Sequence, residues 1–141
     1  MLPVEKQVVT MQKMTEGLFV CLFGGVVYYG LEVLWQGTSH WSMALCGAIG
    51  FSYLYRINRR YLRLPLPLRA LMGALFITAM ELTAGCIFNL GLGWNIWDYS
   101  TLPLHFLGQI CLPYSIFWFL LGFPGALLSY WIRRVVFLAD E

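Results

Sequence analysis

Four apolar stretches separated by short polar breaks make up most of the chain. They cover about residues 17–35, 41–57, 68–90 and 104–132. A helix needs roughly 20 apolar residues to cross a bilayer core of about 30 Å. The pattern therefore predicts four transmembrane helices. No small-residue cleavage site follows the first stretch, so we interpret it as a retained span and not as a signal peptide.

The two ends of the pattern differ from a simple span. In residues 1–16 the apolar positions recur every three to four residues among charged ones, which predicts a short amphipathic helix on the membrane surface. The stretch 104–132 would extend about 43 Å at 1.5 Å per residue, longer than the bilayer core. It contains Pro113 and Pro124, so we expect a long last helix with a kink at each proline.

Composition supports the membrane assignment. Charged residues make up 11% of the chain and hydrophobic residues 60%, whereas soluble domains carry about 25% charged residues. Four spans in 141 residues leave no room for a nucleotide-binding domain, and no phosphate-binding loop motif occurs. The four cysteines fall within predicted spans without a C-x-x-C pair, which indicates packing and not redox chemistry.

The cations predict the orientation. All nine would lie on one side of a four-span arrangement, and the opposite loops have none; they are Lys6, Lys13, Arg56, Arg59, Arg60, Arg63, Arg69, Arg133 and Arg134. The positive-inside rule then places both termini in the cytoplasm. Contact with lipid headgroups explains the arginine cluster, and nucleic acid is not an expected partner.

A weak internal repeat suggests how the spans are arranged. A serine, a glycine, an isoleucine and a tyrosine recur at identical spacing, first as Ser39, Gly47, Ile49 and Tyr53 and then as Ser100, Gly108, Ile110 and Tyr114. A glutamate within a span precedes each copy. The sequence thus predicts an all-α polytopic membrane protein built from two helical hairpins of the same orientation.

Polar residues within the spans are the candidate chemistry. Tyr28 and Gln36 lie four residues either side of Glu32, and Asn89 continues the helix face of Glu81. In the last predicted span His105 and Gln109 share a face. If these faces converge, the bundle contains an outward-facing polar pocket with two carboxyls.

Neither glutamate has a lysine or arginine at the same membrane depth. Burying a carboxyl there is costly unless it is paired, hydrated or protonated. Its partners must be hydroxyls, amides, His105, backbone N–H groups or the other glutamate. Such a site suits proton coupling or cation binding, and the alternative is a hydrogen bond that only packs helices. No H-x-x-x-H or H-E-x-x-H spacing predicts a metal site.

The longest polar break separates the third span from the fourth. Trp97 and Tyr99 fit either the interfacial aromatic belt or a ligand contact. Asp98 precedes Ser100 and Thr101, which we expect to cap the last span. Asp98 would then stabilise that helix start or its loop, with contact to a ligand as the alternative.

One family resemblance rests on this break and the residues after it. Trp97-Asp98-Tyr99-Ser100 leads to Pro103, Gly108, Ile110-Cys111-Leu112, Ser115 and Trp118, and Glu81 and Gly85 lie upstream. This pattern resembles the signature of the bacterial CmpB-like family of type IV ABC-transporter membrane proteins, densely over about 81–122. The resemblance implies a permease in the bacterial cytoplasmic (inner) membrane. His105 departs from it, since the family often has asparagine near this position.

The leading hypothesis is transport of a small solute or ion. The candidate binding residues are Glu32, Glu81, Asn89, Trp97, Asp98, Tyr99, His105 and Gln109. We assign no catalytic residue, metal or cofactor. Expected partners are membrane lipid, a small solute or ion, and a second copy or another membrane subunit. Close packing at Gly24-Gly25 and Gly47-Ala48 would permit the dimer.

Two alternatives remain at this stage. One is a non-enzymatic accessory protein that holds a lipid or a partner subunit. The other is an enzyme that modifies a lipid headgroup or an isoprenoid, with the two carboxyls acting as acid and base.

Overall fold

A computed structural model describes residues 3–138, and most of this part of the chain is helical. The helices are α1 (Pro3–Gln36), α2 (Trp41–Arg60), α3 (Leu66–Ala84) and α4 (Leu112–Trp131). Wider π-helical turns extend α3 over Gly85–Gly91 and α4 over Ile132–Val136. Between α3 and α4 lies a two-residue hairpin of β1 (His105–Phe106) and β2 (Ile110–Cys111), antiparallel with His105 opposite Cys111.

Prolines and one histidine define where the helices begin. Pro67 and Pro113 lie in the first turns of α3 and α4, where a missing N–H costs nothing. The side chain of His40 caps α2, since its Nδ1 accepts a hydrogen bond from the Ser42 backbone N–H at 3.2 Å. The kink expected at Pro113 is therefore wrong, because a proline in the first turn breaks no helical hydrogen bond. Pro124 does lie inside α4.

Three helices are long and apolar enough to span a bilayer: Pro3–Gln36, Leu66–Gly91 and Leu112–Val136. The chain is thus an all-helical membrane protein. The remaining helix, α2, carries Ser42, Arg56 and Asn58 and is more polar than the others. It packs against α1, α3 and α4. Its polar residues at positions 42 and 58 are buried by those neighbours.

The closest helix contact is between α1 and α2. A Cβ added at Gly24 would come within 2.6 Å of the Phe51 Cβ and 2.9 Å of the Gly47 carbonyl oxygen. A Cβ at Gly25 would come within 2.9 Å of the Ala44 carbonyl oxygen. These glycines were expected to pack a dimer. In the structure α1 and α2 of the same chain use these small residues for their own close approach, and the dimer stays a prediction.

Both ends of the predicted pattern also differ in the structure. Residues 3–15 continue into α1 without a break and are all exposed, so the described part of the N-terminal segment is not a separate amphipathic helix. The last helix begins at Leu112 and not near Leu104. Residues 104–111 form the hairpin instead, because Leu104, Leu107 and Gly108 have positive φ angles that no α-helix contains.

The predicted repeat is not a structural repeat. Gly47 is helical, whereas its counterpart Gly108 has φ of 70° in the hairpin turn. Ile49 lies within α2 and Ile110 lies in β2. Equal spacing therefore places matched residues in different secondary structure.

The bundle has two chemically distinct ends. We name the first the arginine end: Arg59 at the end of α2, Arg69 near the start of α3 and Arg133 after α4 line one cavity there. We name the opposite one the loop end: it holds the end of α1, the start of α2 and residues 92–111. Trp94 of that loop packs on His40 and Trp41, with ring centroids 5.4 and 6.0 Å away.

Candidate functional site

Glu81 is buried in the interior near the loop end. Its side chain is 7% exposed. The Trp118 indole N–H donates to its Oε2 at 3.1 Å, and the Tyr99 hydroxyl donates to its Oε1 at 3.3 Å. Each carboxylate oxygen therefore accepts one hydrogen bond from a distant part of the chain. Two donors offset part of the cost of removing a carboxyl from water.

The two helices that carry this site, α3 and α4, are also joined by a second polar contact. Thr78 of α3 and Ser115 of α4 face each other with their hydroxyl oxygens 2.9 Å apart. Glu81 and Trp118 each lie three residues further on. Because residues at i and i+3 share a helix face, both polar contacts lie at the interface between α3 and α4.

The loop between α3 and α4 is tied to the bundle by two buried amides. Asn89 Nδ2 donates to Gln109 Oε1 at 2.8 Å, and Asn89 Oδ1 accepts from the Ile96 backbone N–H at 2.6 Å. The Trp97 indole N–H donates to the Gln109 backbone carbonyl at 3.0 Å. Gln109 is 3% exposed and lies over Gly85, where an added Cβ would come within 2.8 Å of the Gln109 Cβ. Gly85 thus leaves the space that the amide occupies.

Tyr99 projects from the loop into the bundle. Its backbone N–H donates to the Gly108 carbonyl at 2.7 Å. Its ring stacks on Tyr114, with centroids 4.7 Å apart and planes at 10°. Burial raises the pKa of the Tyr99 hydroxyl above its ordinary value, so the group keeps its proton and donates to Glu81.

Asp98 and His105 shape the loop and lie outside this interior site. Asp98 is exposed, and its Oδ1 accepts from the Ser100 backbone N–H at 2.9 Å. That hydrogen bond lowers the pKa of the Asp98 carboxyl. His105 is also exposed, and its Nδ1 accepts from the Gly108 backbone N–H at 3.2 Å. The expected cap of the last helix by Ser100 or Thr101 is wrong, since that helix begins eleven residues after Thr101.

Glu32 is bound by residues close to it in sequence. The Ser39 hydroxyl donates to Oε2 at 2.8 Å, and the Tyr28 hydroxyl donates to Oε1 at 3.4 Å. Glu32 is half-buried near the last turn of α1. Its hydrogen bonds connect that turn to the start of α2, as a helix-packing role requires.

One aromatic contact connects the two glutamates. The Tyr28 and Trp118 rings have centroids 6.0 Å apart. Tyr28 binds Glu32, and Trp118 binds Glu81. The two carboxyls are therefore joined through a pair of aromatic side chains and not by direct contact.

A cavity of about 280 Å³ lies between the four helices and reaches Glu81. Tyr28, Trp97 and Trp118 line it beside the carboxyl, and most other lining residues are apolar. Glu32 does not line it. The predicted polar pocket with two carboxyls is therefore, in the structure, an apolar cavity with one carboxyl and five aromatic side chains.

The predicted residues fall into three groups. Five come together around the interior site and its loop: Glu81, Asn89, Trp97, Tyr99 and Gln109. Glu32 belongs to a neighbouring cluster, and Asp98 and His105 lie on the surface. His105 and Gln109 do not share a helix face, because both lie in the hairpin segment.

Sequence reasoning missed three partners: Trp118, Tyr114 and Ser39. The signal for Trp118 was available, since a buried glutamate without a cation requires N–H or O–H donors and an indole supplies one. Tyr114 and Ser39 carried no comparable signal. In residues 3–138 no group of three or more His, Cys, Asp or Glu side chains could hold a metal ion.

A comparison with protein families gives one match that covers nearly the whole chain. The family model described as "Putative ABC-transporter type IV" (ABC_trans_CmpB) matches residues 3–138. No solved structure matches the chain.

Proposed function

Since the chain belongs to the family described as "Putative ABC-transporter type IV", we propose that it is the membrane-embedded permease part of a transporter. A permease of this class draws its energy from an ATP-hydrolysing subunit, which would be a separate chain. The proposal includes α2 as a fourth span, which buries one face against the three more apolar helices and turns Leu45 and Ile49 outward. A site for the solute is then expected between the helices.

The observation that carries the proposal is the composition of the interhelical cavity. It holds one carboxylate, Glu81, beside the rings of Tyr28, Trp97 and Trp118. A carboxylate attracts a cation, and aromatic faces attract the same charge by cation–π interaction, more strongly in a desolvated site. The apolar remainder of the wall suits an apolar body. We therefore expect a small amphipathic cation as the solute.

The loop end supplies a route of entry in this proposal. Residues 92–111 cover the bundle beside Glu81, and Tyr99 reaches from the loop to the carboxylate at 3.3 Å. A solute that binds Glu81 from this side would replace the Tyr99 hydroxyl. Displacement of Tyr99 would then couple solute binding to movement of the loop.

A binding experiment tests the site directly. The purified chain in detergent is titrated with benzyltrimethylammonium, followed by tryptophan fluorescence, and with its uncharged isostere neopentylbenzene. We expect Glu81→Gln to weaken cation binding at least tenfold, about 1.4 kcal/mol. The matched variant Glu32→Gln should change it less than about threefold, since Glu32 does not line the cavity.

Two results would contradict the cation site. Unchanged binding by a folded Glu81→Gln variant would remove the carboxylate from the mechanism. Equal affinity for the cation and its uncharged isostere would show that charge is not recognised. The second result would favour the alternative function of a lipid-binding accessory protein, which the predominantly apolar lining of the cavity also suits.

The orientation is part of the proposal and has its own test. The arginine end would face the cytoplasm of a bacterial cell by the positive-inside rule, and the loop end would face outward. In a variant without native cysteines, Asp98→Cys should react with a membrane-impermeant thiol reagent added to whole cells. Arg63→Cys should react only after the cells are opened. Reaction of both positions in whole cells would contradict this orientation.

A further inference from the structure

A second cavity, of about 220 Å³, lies at the arginine end, away from Glu81. Three guanidinium groups line it: Arg59 from α2, Arg69 from α3 and Arg133 from the π-helical extension of α4. The lining contains no aspartate or glutamate. Side chains from three helices therefore surround one space with positive charge.

Among the described residues, one of these three charges has a carboxylate partner. Arg59 forms an ion pair with Glu16, with Nη1 to Oε1 at 3.0 Å. Arg69 donates to the uncharged Asn58 Oδ1 at 2.7 Å. Within residues 3–138 neither Arg69 nor Arg133 forms an ion pair with a carboxylate. Two positive charges at this cavity are therefore uncompensated by the residues that the structure describes.

The unused donors belong to the same two arginines. The Nε–H groups of Arg69 and Arg133 are buried and have no hydrogen-bond acceptor in the described chain. Buried N–H groups are otherwise nearly always paired, because an unpaired donor costs about 1–3 kcal/mol. Asn58 is itself fixed, since its Nδ2 donates to the Leu54 carbonyl at 2.8 Å. The Arg69 guanidinium is thus held in place by Asn58, and its buried Nε–H has no acceptor in the described chain.

We propose that this cavity, which we name the basic cavity, binds a phosphate group through Arg69 and Arg133. Arginine offers paired donors that match phosphate oxygens, and two uncompensated charges match the one or two negative charges of a phosphate ester. The phosphate can come from an anionic lipid headgroup or from a soluble anion. The apolar side chains of Leu62, Leu66 and Leu127 also line the cavity, and this wall suits the acyl chains of a lipid.

The location agrees with a lipid ligand. By the proposed orientation the arginine end lies at the cytoplasmic membrane surface, where anionic headgroups concentrate and basic side chains gain about 1 kcal/mol each. Leu62 and Leu127 are 50% and 70% exposed, so the apolar wall continues to the outer surface of the bundle. A lipid could therefore enter from the side without parting the helices. The site does not depend on Glu81 or on the transported solute.

Thermal unfolding of the purified chain tests the proposal. Three probes are compared: short-chain phosphatidylglycerol, short-chain phosphatidylcholine with the same acyl chains, and inorganic phosphate. We expect phosphatidylglycerol at about 100 times its Kd to stabilise the chain by about 2.7 kcal/mol, a shift of several degrees. Phosphatidylcholine carries the same phosphodiester with its charge offset and should give a much smaller shift. A comparable shift with inorganic phosphate would identify the soluble anion as the source.

Variants separate the basic cavity from general surface charge. The double variant Arg69→Gln/Arg133→Gln should lose the phosphatidylglycerol shift. The matched control Arg63→Gln removes an exposed arginine that does not line the cavity and should keep the shift. The milder variant Arg133→Lys retains the charge and should reduce the shift without abolishing it, which covers the case of a double variant that does not fold.

The outcomes decide the question in either direction. Equal shifts with phosphatidylglycerol and phosphatidylcholine in the unmodified chain, or no shift with any of the three probes, would overturn the proposal. So would a full phosphatidylglycerol shift in the folded double variant. Native mass spectrometry should in parallel show one phosphatidylglycerol retained by the unmodified chain and none by the double variant.

Discussion

Glu32 and Glu81 are both carboxylates close to the loop end, but they are bound in different ways. The donors to Glu32 are four and seven residues away in sequence. The donors to Glu81 are eighteen and thirty-seven residues away. The hydrogen bonds of Glu32 therefore belong to a local helix junction. The site around Glu81 forms only when α3, α4 and the loop are assembled.

The difference shows why two similar sequence signals have different meanings. Both glutamates interrupt apolar runs without a cation nearby. Only Glu81 lines the cavity, and Trp118 and Tyr99 each donate to one of its oxygens. The carboxyl oxygens of Glu32 accept hydrogen bonds from Ser39 and Tyr28, and in the structure this carboxyl has a packing role.

Removal of each carboxyl in turn should give the largest difference in stability between the two sites. Glu81→Ala leaves the Trp118 N–H and the Tyr99 hydroxyl without their acceptor, and we expect it to lower the free energy of unfolding by about 3 kcal/mol. Glu32→Ala leaves donors that water can reach near the helix end, and the loss should be about 1 kcal/mol or less. Denaturant titration of both variants in the same detergent measures the difference. Equal losses would show that the distant donors add nothing.

Two glycines give the next largest contrast. Gly85→Ala places a methyl group against Gln109 and should destabilise the chain by about 1–3 kcal/mol through overpacking. Gly30→Ala, two residues before Glu32, meets nothing within 4 Å and should stabilise α1 by about 0.5–1 kcal/mol.

Hydrogen exchange gives the local readout for this pair. Displacement of Gln109 removes the partner of Asn89, so the Ile96 and Tyr99 amides should exchange faster in Gly85→Ala. These amides should keep their protection in Gly30→Ala. Unchanged exchange in Gly85→Ala would mean that the two buried amides do not hold the loop.

Deletion of single donors gives the smallest contrast. Trp118→Phe keeps an aromatic ring and removes the N–H to Glu81, and it should cost about 1–2 kcal/mol because the carboxylate is buried. Tyr28→Phe removes the longer 3.4 Å hydrogen bond to Glu32 and should cost about 0.5 kcal/mol or less. Thermal unfolding compares the two. A larger loss for Tyr28→Phe would reverse the ranking of the two sites.

Much of the fold could be predicted because it follows from local composition. Long apolar runs specified helices over most of their length, and the cations indicated which helix ends lie together. Prediction failed where the chain turned locally. The composition of residues 104–111 predicted the start of a span. In the structure Leu104 and Leu107 have positive φ angles, which follow from the closure of the loop. Leucine rarely adopts such angles, so the sequence did not indicate them.

The sequence predicted which residues belong to the candidate site, but it did not predict how they are arranged. Asn89, Tyr99 and Gln109 were identified as polar residues near the membrane-embedded glutamates, which is a sequence property. That Gln109 lies over Gly85, and that His105 points away from the interior, depends on the hairpin. Likewise Gly24 and Gly47 indicated a close helix contact. Small residues alone do not specify whether the partner helix belongs to the same chain or to a second copy.

By itself, the sequence determined a helical membrane protein, its family and the separation of the cations from Glu32 and Glu81. These properties depend on composition and spacing, because the bilayer requires every backbone polar group to be satisfied within a helix. Only the tertiary structure decided that one glutamate enters a cavity while the other holds a helix junction. The donors to Glu81 come from the folded loop and from a helix distant in sequence. No local sequence pattern indicates that these residues come together.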